Sequence, residues 1–115
     1  MAKDSEFQAH ETLPWTEVKG FDRPGIHEKI LYRDEKQGTY VRVLRIAPGF
    51  KSGDKPLKHD FDEFVWVVSG YSINPRTGHQ NSAGMYAVFP AGMEHGPFEY
   101  PEGAVFLEFR HYARK

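Results

Sequence analysis

This chain of 115 residues has no cysteine. That absence rules out disulfides and any thiolate metal site, so a bound metal would have to sit on His, Asp or Glu. No run approaches the ~18 apolar residues of a membrane-spanning helix, and the polar opening Met1-Ala2-Lys3-Asp4-Ser5 lacks the apolar stretch of a secretory signal. The expected location is therefore the cytoplasm. An excess of positive charge is also missing. Lys and Arg number 15 against 16 Asp and Glu, a formal net charge of −1, and they are spread along the chain. A nucleic-acid partner needs a basic face, so none is expected, and neither is a membrane surface. No segment holds a 3.6-residue apolar period over three turns, which argues against amphipathic helices.

What is present is aromatic and β-branched. Aromatic residues make up 15% of the chain, enough to fill one core in a domain of this length. A single domain over residues 1–115 is expected, with residues 1–12 as a loose arm and Trp15 as the first anchor. Strand patterns punctuated by Gly and Pro follow at residues 28–33 (EKILYR), 39–46 (TYVRVLRI), 63–69 (EFVWVVS, closed by Gly70), 85–89 and 104–110 (AVFLEFR). Residues 51–58 read as a polar loop and 74–83 as turn-rich. Short strands at this spacing predict an all-β sandwich or barrel. The 63–69 segment is apolar on both faces: Phe64, Trp66 and Val68 on one, Val65 and Val67 with Glu63 on the other. Such a strand has to be covered twice. Either the arm with Trp15 or a second subunit would supply the second cover, and a homodimer is expected.

Two histidines and a carboxylate stand at strand boundaries: His59, Glu63 and His95. Two neutral imidazoles and one carboxylate are a familiar ligand set for a first-row divalent ion, and three ligands leave positions open for substrate. His59, three residues, Glu63, six residues, Gly70 resembles the second half of the first cupin motif. Gly84, five residues, Pro90, one residue, Gly92, two residues, His95 resembles the second. Pro24-Gly25-Ile26, Leu31-Tyr32, Pro48-Gly49-Phe50, Gly96-Pro97 and Gly103 resemble the cupins related to the C-terminal domain of the ChrR anti-sigma factor, over most of residues 14–111.

That resemblance implies an all-β double-stranded β-helix, the cupin jelly roll or small β-barrel. It also implies that His59, Glu63 and His95 converge on one divalent transition metal (Fe, Mn, Ni or Zn). Two departures stand out. Leu57 occupies the position where most metal-binding cupins carry a further histidine, and Glu99 replaces an asparagine often found after the second motif. Leu57 should face the same side as His59, where it either leaves a coordination position open or lines an apolar wall. Glu99, Glu108, His79 and His111 are candidates to complete the set. Of Arg42, Arg45 and Arg110, one pointing inward would bind an anionic substrate group. Two functions follow. One is a metalloenzyme, dioxygenase-like or isomerase-like, acting on a small polar or carbonyl-bearing molecule. The other is a non-catalytic small-molecule or metal-binding sensor with an incomplete metal site.

Overall fold

The computed structural model describes residues 6–21 and 23–112. A 3-10 turn at His10–Thr12 precedes eleven strands among the described residues. They are β1 (Thr16–Glu17), β2 (Ile26–Arg33), β3 (Tyr40–Ile46), β4 (Phe50–Lys51), β5 (Leu57–Lys58), β6 (Asp62–Ile73), β7 (Gln80–Ser82), β8 (Tyr86–Phe89), β9 (Glu94–His95), β10 (Glu99–Tyr100) and β11 (Ala104–His111). Nine of them form one antiparallel sheet in the order β1-β2-β3-β11-β6-β10-β4, with β7 and β8 also paired to β6; β5 and β9 form a separate two-stranded ribbon.

The chain is thus mostly β with no α-helix among the described residues, but the expected barrel, a closed double-stranded β-helix, does not form. The sheet path is open: it starts at β1 and stops at β4, and these two ends do not pair. Closure needs a continuous ladder with matched tilt and stagger at every joint. Here β4, β5, β9 and β10 are two residues each, because Pro48, Gly49, Gly53 and Pro56 on one side, and Pro90, Gly92, Pro97 and Pro101 on the other, repeatedly break the extended backbone. Proline removes a ladder donor, and glycines at positive φ turn the chain. The ladders β10–β4 and β5–β9, two residue pairs each, are too short to carry a seam.

Gly70 does not close its strand. β6 runs through it for 12 residues, with Gly70 at φ +73°. A Cβ there would lie 2.3 Å from the Gly103 carbonyl oxygen, so the close approach of the two backbones demands glycine. The β6–β11 register slips beside it: Val105 faces Ser69 while Phe106 faces Val67. That bulge lets β6 leave β11 and continue against β7 and β10. Short pairings also arise where only loops were expected, at Leu57–Lys58 and Gln80–Ser82.

Alternation along β6 sorts the chemistry. Glu63, Val65 and Val67 face a cavity of about 700 Å³, while Trp66 and Val68 are exposed on the far face. The core is Ile26, Leu44, Ile46, Phe50, Val67, Tyr100, Ala104 and Phe106. Nearly all of these also line that cavity, which is why no large side chain among the described residues is completely sealed from solvent.

Candidate metal centre

The β5–β9 ribbon places two of the three predicted ligands. Leu57 pairs with His95 and Lys58 with Glu94, which sets His95 beside the segment carrying His59. Glu63 is the second residue of β6. The turn after β8 is tied to the same segment from two sides. The Gly92 N–H donates to the His59 carbonyl (2.8 Å), and the Ala91 N–H donates to Asp62 Oδ1 (2.9 Å). Asp62 therefore clamps the two motifs together. A single sequence carries no signal for that role.

One ligand atom from each of His59, Glu63 and His95 lies within 4.8 Å of the others. His59 Nδ1 is 3.3 Å from Glu63 Oε1, and the two imidazole rings are 4.6 Å apart at 64°. Each ring is held flat against an aromatic neighbour: His59 on Phe61 (4.4 Å, 6°) and His95 on Phe89 (4.0 Å, 10°). Stacking of this kind fixes ring orientation before any ligand arrives.

The electrostatics suit a cation. Burial, with help from the neighbouring His95 and Arg110, pushes His59 down to about 4. Burial also lowers His95, opposed by the Met93 carbonyl and Glu108. Both rings are therefore neutral at pH 7 with a lone pair to give. Burial pushes Glu63 up to about 9, reinforced by its hydrogen bond with Glu108 and that residue's charge. Buried Glu63 Oε1 and His95 Nδ1 have no hydrogen-bond partner among the described residues. Leaving such acceptors unpaired costs about 1–3 kcal/mol each. A divalent ion is one partner that would satisfy both atoms. The His59–Glu63–His95 cluster is thus capable of coordinating a divalent metal ion.

The family model of the ChrR cupin-like domain matches residues 2–113. The chain belongs to the ChrR cupin-like family. Many solved cupin structures share its fold. An acetylacetone dioxygenase from Acinetobacter johnsonii superposes with a TM-score of 0.74 at 13% identity, over 96% of this chain and 76% of that one. An RmlC-like cupin from Shewanella frigidimarina gives 0.71 at 18%, over 100% and 97%. KdgF from a Halomonas species gives 0.70 at 21%, over 94% and 96%. At these identities the likeness is one of fold. No curated protein matches the chain.

The departures from the family motif can now be placed. Leu57 lines the cavity beside His59, as the alternation predicts, and offers no donor. Of the four candidates to complete the set, Glu108 alone is hydrogen-bonded to Glu63, and it is already committed. Arg42 Nε donates to Glu108 Oε1 at 2.6 Å and Arg110 Nε at 2.9 Å. Burial would raise the Glu108 pKa, but the hydrogen bond from Glu63 and the two guanidinium charges hold it low. Of the two carboxyls, Glu63 therefore holds its proton more tightly. Glu99 pairs instead with Lys51 (3.9 Å). His111 meets Thr39 Oγ1 (3.4 Å), and His79 lies at the exposed end of the cavity.

Two arginines point inward. Arg42 is buried, with Nη1 donating to Glu28 Oε1 at 2.6 Å; Arg110 lies over the Phe61 ring at 4.3 Å. The sequence left open which of Arg42, Arg45 and Arg110 points inward. The partners of Arg42, half-buried Glu28 and buried Glu108, come from β2 and β11, and no local pattern connects them to it. The cavity walls beyond this charged end are apolar, built by Leu44, Val65, Val67 and Phe106, and the far end is polar with Ser72, Asn74 and Asn81. Among the described residues no helix is long and apolar enough to cross a membrane.

Proposed function

We propose that this cupin holds one divalent transition metal (Fe, Mn, Ni or Zn) on His59, Glu63 and His95 and acts on a small carbonyl-bearing molecule taken into the adjoining cavity. The observation that carries this reading is the pair of buried, unpartnered acceptors, Glu63 Oε1 and His95 Nδ1, at the charged end of a cavity of about 700 Å³. A bound ion would supply a Lewis acid or a site for dioxygen at positions the three side chains leave open.

The chain's own residues supply the rest. Phe61 and Phe89 keep the two imidazoles facing inward. Before an ion binds, Glu108, held by Arg42 and Arg110, accepts a hydrogen bond from the Glu63 carboxyl and so aims that carboxyl. Leu57 and the apolar wall exclude water from one side of the site. Both inward guanidiniums are spent on Glu108 and Glu28, which disfavours a strongly anionic substrate. The apolar walls also disfavour a polyhydroxylated one. Oxidative cleavage of a dicarbonyl or hydroxy-ketone, with both atoms of dioxygen entering the products, therefore fits the cavity better than sugar isomerisation. The cytoplasm, where such small molecules circulate, is the proposed location, and no nucleic-acid or membrane partner is proposed.

The test is metal content by elemental analysis of protein purified without added metal, followed by oxygen uptake with a dicarbonyl and hydroxy-ketone panel after Fe(II) loading. A chain that takes up no Fe, Mn, Ni or Zn and is indifferent to chelator would end the metal reading. A second reading rests on Leu57: with one customary donor missing, the centre would bind metal and a small molecule without turnover. Stoichiometric metal and ligand binding with no oxygen uptake would select it.

A further inference from the structure

The face of the sheet opposite the cavity carries an array the metal site does not use. Cross-strand register aligns Phe109, Phe64 and Val88 in one row, and Leu107, Trp66 and Tyr86 in the next, across β11, β6 and β8. None of the six is charged. The aromatic rings are already organised: Tyr86 stacks on Phe64 (5.8 Å, 28°) and on Trp66 (6.5 Å, 13°). Yet Trp66 is 42% exposed, Val68 52%, Tyr86 64%, Val88 53% and Phe109 41%.

The described residues of the chain's own arm do not cover them. Its Trp15 ring takes Lys29 Nζ of β2 at 4.5 Å and the Arg45 guanidinium of β3 at 4.3 Å, and Lys29 Nζ donates to the His10 carbonyl at 2.9 Å. Those contacts tie residues 10–15 to β2 and β3, beside the array.

We infer that this face is the interface of a two-fold homodimer, in which β11-β6-β8 of one copy packs against the same strands of another. Two arguments select a second copy. The first is chemical: an array with no charge desolvates without loss only against a surface that is equally uncharged. In a chain that is 27% charged, this array is such a surface, and a two-fold axis brings it onto itself. The second is area. The quoted exposures amount to roughly 500–600 Å² of mainly apolar surface. With a polar rim this approaches the ~800 Å² per partner of a standard stable interface.

The test is mass in solution, by light scattering on a sizing column or by sedimentation equilibrium, from about 1 to about 100 µM. The expected result is twice the 13.2 kDa chain mass. Trp66→Glu should halve it while leaving the far-UV spectrum and metal uptake unchanged. Val88→Lys, on the exposed strand β8, gives the same reading if Trp66→Glu fails to fold. A wild-type chain that stays at 13.2 kDa throughout the range would overturn the inference. So would Val88→Lys at undiminished dimer mass, or an assembly of more than two chains.

Discussion

Arg42→Met tests the charged row that supports the metal centre. Arg42 on β3 lies opposite Glu108 on β11, 2.6 Å from its Oε1, and reaches Glu28 Oε1 at 2.6 Å. Burial alone would lower its pKa; the charge of Glu108 and hydrogen bonds to Glu108 and Glu28 outweigh that and hold the guanidinium ionised. Methionine fills similar volume but leaves Glu28 without its guanidinium partner and Glu108 with only one of its two, Arg110. Breaking a buried ion pair from one side costs about 3–5 kcal/mol, because a charge is stranded. The remaining Arg110 contact places the expected loss near the lower end, about 3 kcal/mol. Set against a total of roughly 6–17 kcal/mol for a chain this long, that is a large share, and it corresponds to a fall in Tm of about 10–20 °C. Urea unfolding at pH 7, followed by tryptophan emission, should show a lower midpoint with unchanged slope. Adding Glu28→Gln to Arg42→Met neutralises the stranded carboxylate and should return about 1 kcal/mol or more. A single-variant loss below about 1 kcal/mol, or a double variant worse than either parent, would refute the idea that these charges form one buried unit.

Three further outcomes concern the metal. His95→Ala should reduce metal content from near one ion per chain to near zero, read by elemental analysis; equal content would place the ligands elsewhere. Leu57→His should tighten affinity by about 10-fold or more, since it adds a donor to a three-ligand set. An unchanged affinity in a competitive chelator titration would mean residue 57 does not reach the ion. Affinity should also rise with pH. Glu63 must lose the proton it holds up to about 9, whereas His59 is neutral above about 4, so one proton leaves per ion bound. From pH 6 to pH 8 the affinity gain should be about 100-fold. Calorimetry in buffers of different ionisation enthalpy should report close to one proton released at pH 7. A flat profile would show that Glu63 is already ionised or is not a ligand.

Residues 59–95 show how far sequence reading reaches. The spacing of His59, Glu63, Gly70, Gly84, Pro90, Gly92 and His95 identified the family and named the cluster that the structure brings together. Alternation in β6 sorted Glu63, Val65 and Val67 from Phe64, Trp66 and Val68 without error, because a pleated strand has period two. The same reading ended the strand at Gly70, since glycine usually marks a turn. Here it marks a close backbone crossing with Gly103, which depends on a segment 33 residues away in the chain. The clamp from Asp62 to Ala91 and the burial of Arg42 against Glu28 and Glu108 were illegible for the same reason: each partner lies on a separate segment of the chain.

The chain's own sequence determined a cysteine-free, mostly β member of the ChrR cupin-like family with oxygen and imidazole donors at His59, Glu63 and His95. Only the tertiary structure decided that the sheet stays open, because ladder closure depends on strand ends distant in sequence finding enough partners. It also decided that Glu108 is spent on Arg42 and Arg110 and is not a free fourth ligand. Pairing between buried charges is set by which strands become neighbours, and no local pattern records that choice.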